Sequence, residues 1–180
     1  NYIRSKHKKN EFEMLFMQMY DSYKNQAMEM TEQLKEQLSS LPVEDKKQMY
    51  GLCHGDYNQH NVVFSQRECV LLNFEQLNYD ILVSDLANFT RKIMEKYNWN
   101  TNIGMEIITT YNKVRELLPQ ECRQLYLRLA YPKKYWKIAN HYYNSRKAWI
   151  SGRDIEKLKK LMAQEEERKQ FLRMLFHFTS

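Results

Sequence analysis

His54-Gly55-Asp56-Tyr57-Asn58-Gln59-His60-Asn61, followed at once by Val62-Val63-Phe64, decides how this chain is read. An acid at 56 and an amide at 61 stand five positions apart on a loop that runs into an apolar strand. That spacing lets one loop hold a proton acceptor beside a metal-binding amide. A polar surface turn between a helix and a strand is the plainer alternative. The next segment speaks against it. Twelve residues after Asn61, a second apolar run, Val70-Leu71-Leu72, ends in Asn73-Phe74-Glu75 and returns polar groups to the first loop. A hairpin is expected, with strands over 61–64 and 69–74 and the polar turn Ser65-Gln66-Arg67-Glu68 between them.

Downstream, Tyr79-Asp80-Ile81-Leu82-Val83-Ser84-Asp85-Leu86-Ala87 completes a pattern. Together these segments resemble the aminoglycoside phosphotransferase and choline-kinase-like family, and within it the CotS group of spore coat proteins. That group is expected to read roughly H-G-D-Y-H-Q-H-N, then I-D-F-D, then Y-D-L-P-V-x-D-L-A. The specific part of the match runs over 52–91, and the helical tail matches by composition alone. The resemblance implies a protein-kinase-like large lobe with Asp56 as catalytic base and Asn61 as a metal and nucleotide-site ligand. It makes Asp85 a structural acid that braces the catalytic loop, and it implies Mg²⁺ and ATP as cofactors. Gly55 stands where protein kinases carry Arg in H-R-D, a form associated with small-molecule kinases.

Two departures matter. Asn58 stands where the group has a second His. Asn73 stands where the family has the Asp that chelates the Mg²⁺ bridging the phosphates. Mg²⁺ is a hard cation usually held by one or two carboxylates, and an amide oxygen brings no charge. Asn73 is thus a weakened metal ligand. Glu75, two residues on, would share its face if the strand continued and would then supply a carboxylate. Otherwise it is a solvated acid at a strand end.

The chain has 180 residues, enough for one domain or one lobe of a larger one. Only four Gly occur, at Gly51, Gly55, Gly104 and Gly152, so no glycine-rich phosphate cradle is present. The first residue is Asn1. Residues 1–180 are therefore expected to form the C-terminal lobe of a kinase-like fold, with the N-terminal nucleotide-binding lobe not present in this chain. Cys53, Cys69 and Cys122 suggest neither a disulfide framework nor a zinc pair. No apolar run approaches the roughly 18 residues of a membrane span. A net charge of +6 permits an anionic small molecule, an acidic coat partner or nucleic acid without choosing among them.

Outside the hairpin the pattern is helical. Phe12, Phe16, Met19, Tyr23, Met30, Leu34 and Leu38 form a stripe over 9–38. Ser39, Ser40 and Pro42 end that helix and begin a short one through Met49. Ser84 is placed to cap a helix over 85–97, with Asp85 in its first turn. Further helices are expected over 102–117, 120–130 and 132–147, and a last long one over 153–176. The fold class is mainly α with one small β-hairpin.

Several residues admit two readings. His54 is a catalytic acid or ligand, or a buried histidine that shapes the loop; the second is favoured. Loop packing is expected of His60, and a loop cap or surface salt bridge of Asp80. A metal cluster of Cys53, His54, His60 and Cys69 matches no zinc spacing. The tract Tyr131-Pro132-Lys133-Lys134-Tyr135-Trp136-Lys137, with Tyr142-Tyr143 and Arg146-Lys147-Ala148-Trp149, interleaves bases and aromatics as single-strand binders do. Its helical spacing favours core packing with a solvated basic edge. The functional expectation is a spore coat protein, made in the mother-cell cytoplasm, with a kinase-like fold and weak or absent phosphotransfer because of Asn73. Its partners would be other coat proteins or a small-molecule acceptor, not a membrane and not nucleic acid. An active ATP-dependent kinase of a small hydroxylated molecule is the alternative, and a basic helical nucleic-acid binder ranks last.

Overall fold

A computed structural model describes residues 2–144 and 152–179. After the short helix α1 (Tyr2–Ser5), the helix α2 (Glu11–Ser40) runs along one side of the molecule. Its start is set by a capping box: Asn10 Oδ1 accepts the Glu13 amide at 3.0 Å, and Glu13 Oε2 accepts the Asn10 amide at 3.0 Å. Glu13 is buried and also takes Lys6 Nζ at 2.6 Å. Burial works to raise its carboxyl, but the hydrogen bonds from Lys6 and Asn10 and the charges of Lys6 and Lys9 carry it below the usual range. Four residues of the stripe, Phe12, Phe16, Tyr23 and Met30, are buried, while Met19, Leu34 and Leu38 are partly buried against the core.

Helix α3 (Val43–Met49) leads into β1 (Tyr50–Cys53). Here the structure holds more than the single hairpin expected. The inner strands β2 (Val62–Phe64) and β3 (Cys69–Leu71) pair antiparallel, with Val62 opposite Leu71. An outer pair, β1 with β4 (Asn78–Ile81), sets Cys53 opposite Asn78. The 54–61 and 72–77 segments therefore leave adjacent strand ends and lie side by side between two small sheets. Strand β3 stops at Leu71, short of the expected end at Phe74, and residues 74–76 form a 3-10 turn.

Helix α4 (Val83–Lys96) starts earlier than its anticipated cap. Ser84 lies within the first turn and its hydroxyl donates back to the Ile81 carbonyl at 2.6 Å, so it caps nothing. Helices α5 (Thr101–Val114), α6 (Pro119–Ala130) and α7 (Lys133–Asn144) follow, with Pro119 at the first position of α6. The 145–147 end of the helix expected over 132–147, with Arg146 and Lys147, and Trp149 beyond it lie outside the described residues. The single C-terminal helix anticipated from the apolar spacing is two, α8 (Gly152–Ala163) and α9 (Glu165–Thr179). They part at Gln164, which is buried and donates its side-chain amide to the Glu95 carbonyl at 3.3 Å.

Two apolar clusters hold the helices. One joins Met30, Met49, Ile81, Leu86, Met94 and Ile108 to Leu125 of α6 and Phe171 of α9. The other joins Phe12, Phe16 and Tyr23 of α2 to Tyr135 and Ile138 of α7 and Leu158 of α8. The Tyr135 ring stacks on Phe16 at 4.7 Å and its hydroxyl donates to the Phe16 carbonyl, while Tyr142 stacks on Phe12 at 3.7 Å. Tyr135, with Trp136 and Tyr142 packed beside it, thus serves the core, as the helical spacing suggested, while Tyr143 is exposed.

Candidate active site

The site is built where the two loops meet. Gly55 sits at φ +79°, and a Cβ there would lie 2.1 Å from the Gln76 carbonyl oxygen, so only glycine lets the loops approach this closely. Asp85, in the first turn of α4, accepts the His54 and Gly55 amides at 2.6 and 3.1 Å. These are the brace contacts anticipated for it. The His54 ring is buried, with Nε2 2.8 Å from the Leu72 carbonyl and Nδ1 accepting the Asp56 amide at 3.3 Å. One neutral tautomer, with the proton on Nε2, satisfies both bonds. His54 therefore ties one loop to the other and shapes the backbone at the acid.

Asp56, Asn61 and Asn73 converge. Asn61 Nδ2 donates to the Asp56 carbonyl at 2.9 Å and to Asp56 Oδ2 at 3.3 Å. That fixes the Asn61 amide so that its Oδ1 faces Asn73, whose Nδ2 donates to it at 2.8 Å. Asn73 itself lies in the left-handed region, φ 63° and ψ 61°, where Asn and Asp are the side chains best tolerated. Asn58, buried, bridges the loop to itself: Nδ2 donates to the Asp56 carbonyl at 2.7 Å and Oδ1 accepts the His60 amide at 3.0 Å.

One participant was not anticipated. Lys92 Nζ lies 2.7 Å from Asp56 Oδ1. Its hydrogen bond, more than its charge or the bond from Asn61, holds the Asp56 carboxyl below the usual carboxylate range. With half of the Asp56 side chain exposed, the pair sets the charge state more than it adds stability. A signal was present: Lys92 follows Asp85 by seven residues, two helical turns on the same face of α4.

Other candidates fall away from this cluster. Glu75 is exposed in the 3-10 turn, so the alternation that would align it with Asn73 has no strand to act through. Asp80 Oδ1 accepts the amide of the next residue, Ile81, at 2.7 Å. His60 is exposed beside Gln59, Cys53 is buried and Cys69 exposed, and no group of three or more His, Cys, Asp or Glu side chains among the described residues gathers to hold a metal. The donor set does not fit Mg²⁺ as it stands. Asn73 turns its NH₂ group onto the Asn61 oxygen a cation would use, and the Asp56 carboxylate is paired with Lys92.

An aminoglycoside phosphotransferase from Alicyclobacillus acidocaldarius superposes with a TM-score of 0.86 at 23% identity, over 99% of this chain and 53% of that one. The fold is thus the kinase-like architecture of aminoglycoside phosphotransferases. Spore coat protein S of Bacillus subtilis (strain 168) is 25% identical over 124 residues, 68% of this chain and 35% of that protein. The model of the family described as "Spore coat putative kinase YutH" matches residues 1–175, and the chain belongs to that family of kinase-like spore coat proteins. It spans about a third of its curated relative's length and about half of its structural neighbour's.

Proposed function

We propose that this protein serves the spore coat as a kinase-fold component whose phosphotransfer is weak or absent. The observation that carries this reading is the hydrogen bond from Asn73 Nδ2 to Asn61 Oδ1 at 2.8 Å. A carboxylate at 73 would present a charged acceptor at that point, and two acceptors facing each other invite a cation between them. The amide supplies a donor instead, so the two side chains satisfy each other. The residues that would serve Mg²⁺ and ATP, Asn61 and Asn73, are thereby engaged with one another, and Glu75 stands apart. Asp56 keeps the position of a general base, but Lys92 lowers its basicity.

The surface beside the loops suits a second lobe. Leu52, Phe64, Phe74, Leu77 and Tyr79 are exposed around the two strand pairs, a concentration of apolar side chains beside the loops. We read this face as the seat of a nucleotide-binding lobe in the longer protein, and residues 1–180 as the C-terminal lobe. Coat proteins, not a membrane, are the partners this reading implies, and the mother-cell cytoplasm is the place of synthesis before assembly into the coat. The intact loop favours one second reading, an active kinase of a small hydroxylated molecule, with Asp56 accepting the hydroxyl proton.

Titrating the full-length protein with ATP, with and without Mg²⁺, tests the proposal. Little or no Mg²⁺-dependent binding is expected in the native protein, and a gain is expected in Asn73→Asp. Tight Mg²⁺-dependent binding by the native protein, unchanged in Asn73→Asp, would contradict it.

A further inference from the structure

A cavity of about 210 Å³ opens between α4, the α6–α7 junction, α8 and the start of α9. Its walls are of two kinds. Trp99, Tyr135, Pro132 and Leu161 make an apolar, largely aromatic side. The rest is mainly cationic, with Arg91, Lys133, Lys134, Lys157, Lys160 and Arg168 against a single carboxylate, Glu95. Three of the lining cations have carboxylate partners: Lys134 meets Glu95 at 2.8 Å, Lys157 meets Asp154 at 2.9 Å and Arg168 meets Glu165 at 3.4 Å. Arg91 and Lys133 are different. Both converge on one neutral oxygen, Asn88 Oδ1, at 3.1 and 3.2 Å. Neither has a carboxylate partner among the described residues, and Arg91 Nε is buried with no hydrogen-bond partner there.

Two cations drawn to one amide oxygen sit in a crowded positive region, and both are shifted. Burial first, then Arg128 and Arg168 against the pull of Glu95, bring the Arg91 guanidinium down to about 10. Burial and the charges of Arg91, Lys137, Lys92 and Arg128 push the Lys133 ammonium below its ordinary value. Arg91 and Lys133 also line a second cavity of about 450 Å³ that reaches Gly55 and Asp85, so the unbalanced charge sits where the two cavities adjoin. The one carboxylate on the wall, Glu95, is paired with Lys134, which leaves Arg91 and Lys133 without an anion at ion-pair distance among the described residues.

We propose that the cavity binds a small aromatic anion, its charged group between Arg91 and Lys133 and its ring against the Trp99–Tyr135 side. The volume suits one ring and one anionic group, below the usual range of pockets for larger ligands. An anionic group would accept the idle Arg91 Nε–H and separate the two cations with opposite charge. The ring would be held by the apolar wall. This site is independent of phosphotransfer, since Asp56, Asn61 and Asn73 take no part in it.

Phenyl phosphate is the probe, titrated calorimetrically into the full-length protein without nucleotide or Mg²⁺, so that the outcome does not depend on catalysis. Saturable binding is expected, weaker for inorganic phosphate and weaker still for phenol, and falling with added salt. Arg91→Gln and Lys133→Gln are each expected to weaken it about tenfold, as loss of a charged hydrogen bond does. Lys133 is exposed, so Lys133→Gln decides the matter if Arg91→Gln does not fold. No saturable binding, equal binding of phenol, equal binding of inorganic phosphate, or undiminished binding by the folded variants would overturn the proposal.

Discussion

At Gly55 a single hydrogen atom in place of a side chain permits the contact on which the site depends. The positive φ and the 2.1 Å approach of any Cβ to the Gln76 carbonyl act together, so relief of one leaves the other. Gly55→Ala is expected to destabilise the protein by at least about 1–3 kcal/mol, seen as a lowered denaturation midpoint. Lys92 offers a cleaner electrostatic test. Its hydrogen bond depresses the Asp56 carboxyl, so the ionised form is favoured in the folded state. The linked stability is present above the unfolded carboxyl's pKa and fades as pH falls through the lower folded value. Lys92→Met should move the Asp56 titration upward, toward the ordinary carboxylate range, when followed by carboxyl-carbon NMR; an unmoved titration would contradict the assignment. Much of this site could be picked out beforehand, because Asp56, Asn61, Asn73 and Asp85 stand where the resembled family's pattern has its site residues. Lys92 and the Asn73–Asn61 bond could not, because rotamers and amide orientation follow from tertiary contacts.

Among the elements, the inner hairpin was readable from two apolar runs and a polar turn. The outer pair of β1 and β4 was not. Tyr50-Gly51-Leu52-Cys53 and Asn78-Tyr79-Asp80-Ile81 are short, and their pairing spans the whole intervening segment. Such contacts leave no local periodicity to read. The break between α8 and α9 escaped for a similar reason: Gln164 is an ordinary helical residue, and its tie to the Glu95 carbonyl is long-range. The long α2 was legible because its stripe repeats over many turns. Where α5 meets α9, Gly104 admits the neighbouring helix: a Cβ there would come within 2.4 Å of the Phe171 ring and 2.8 Å of Met94. Gly104→Ala is expected to cost about 1–3 kcal/mol through overpacking, despite alanine's better helix propensity. A stabilised variant in thermal or urea unfolding would show that the interface gives way more easily than the packing implies.

Taken whole, the molecule divides its labour among two apolar cores, a polar junction of two loops, and an apolar face around the strands. The cores take in much of the chain's aromatic content, Tyr135, Trp136 and Tyr142 of the basic tract included. The apolar face around Phe64 and Tyr79 predicts a contact with further protein: in the full-length chain these side chains should be protected in hydroxyl-radical footprinting, and free reactivity there would contradict a seated lobe. Family membership joins this architecture to the spore coat, and the central question is whether the fold still transfers phosphate. Replacing one charged group at a transition-state site costs roughly 3–4 kcal/mol, which is about a hundred- to a thousandfold in rate. The direct measurement is Mg²⁺-dependent turnover of ATP by the full-length protein, native beside Asp56→Ala. Turnover indistinguishable between the two, at or near background, is the predicted result. Robust turnover by the native protein that disappears in Asp56→Ala would show that Asn73 sustains catalysis after all.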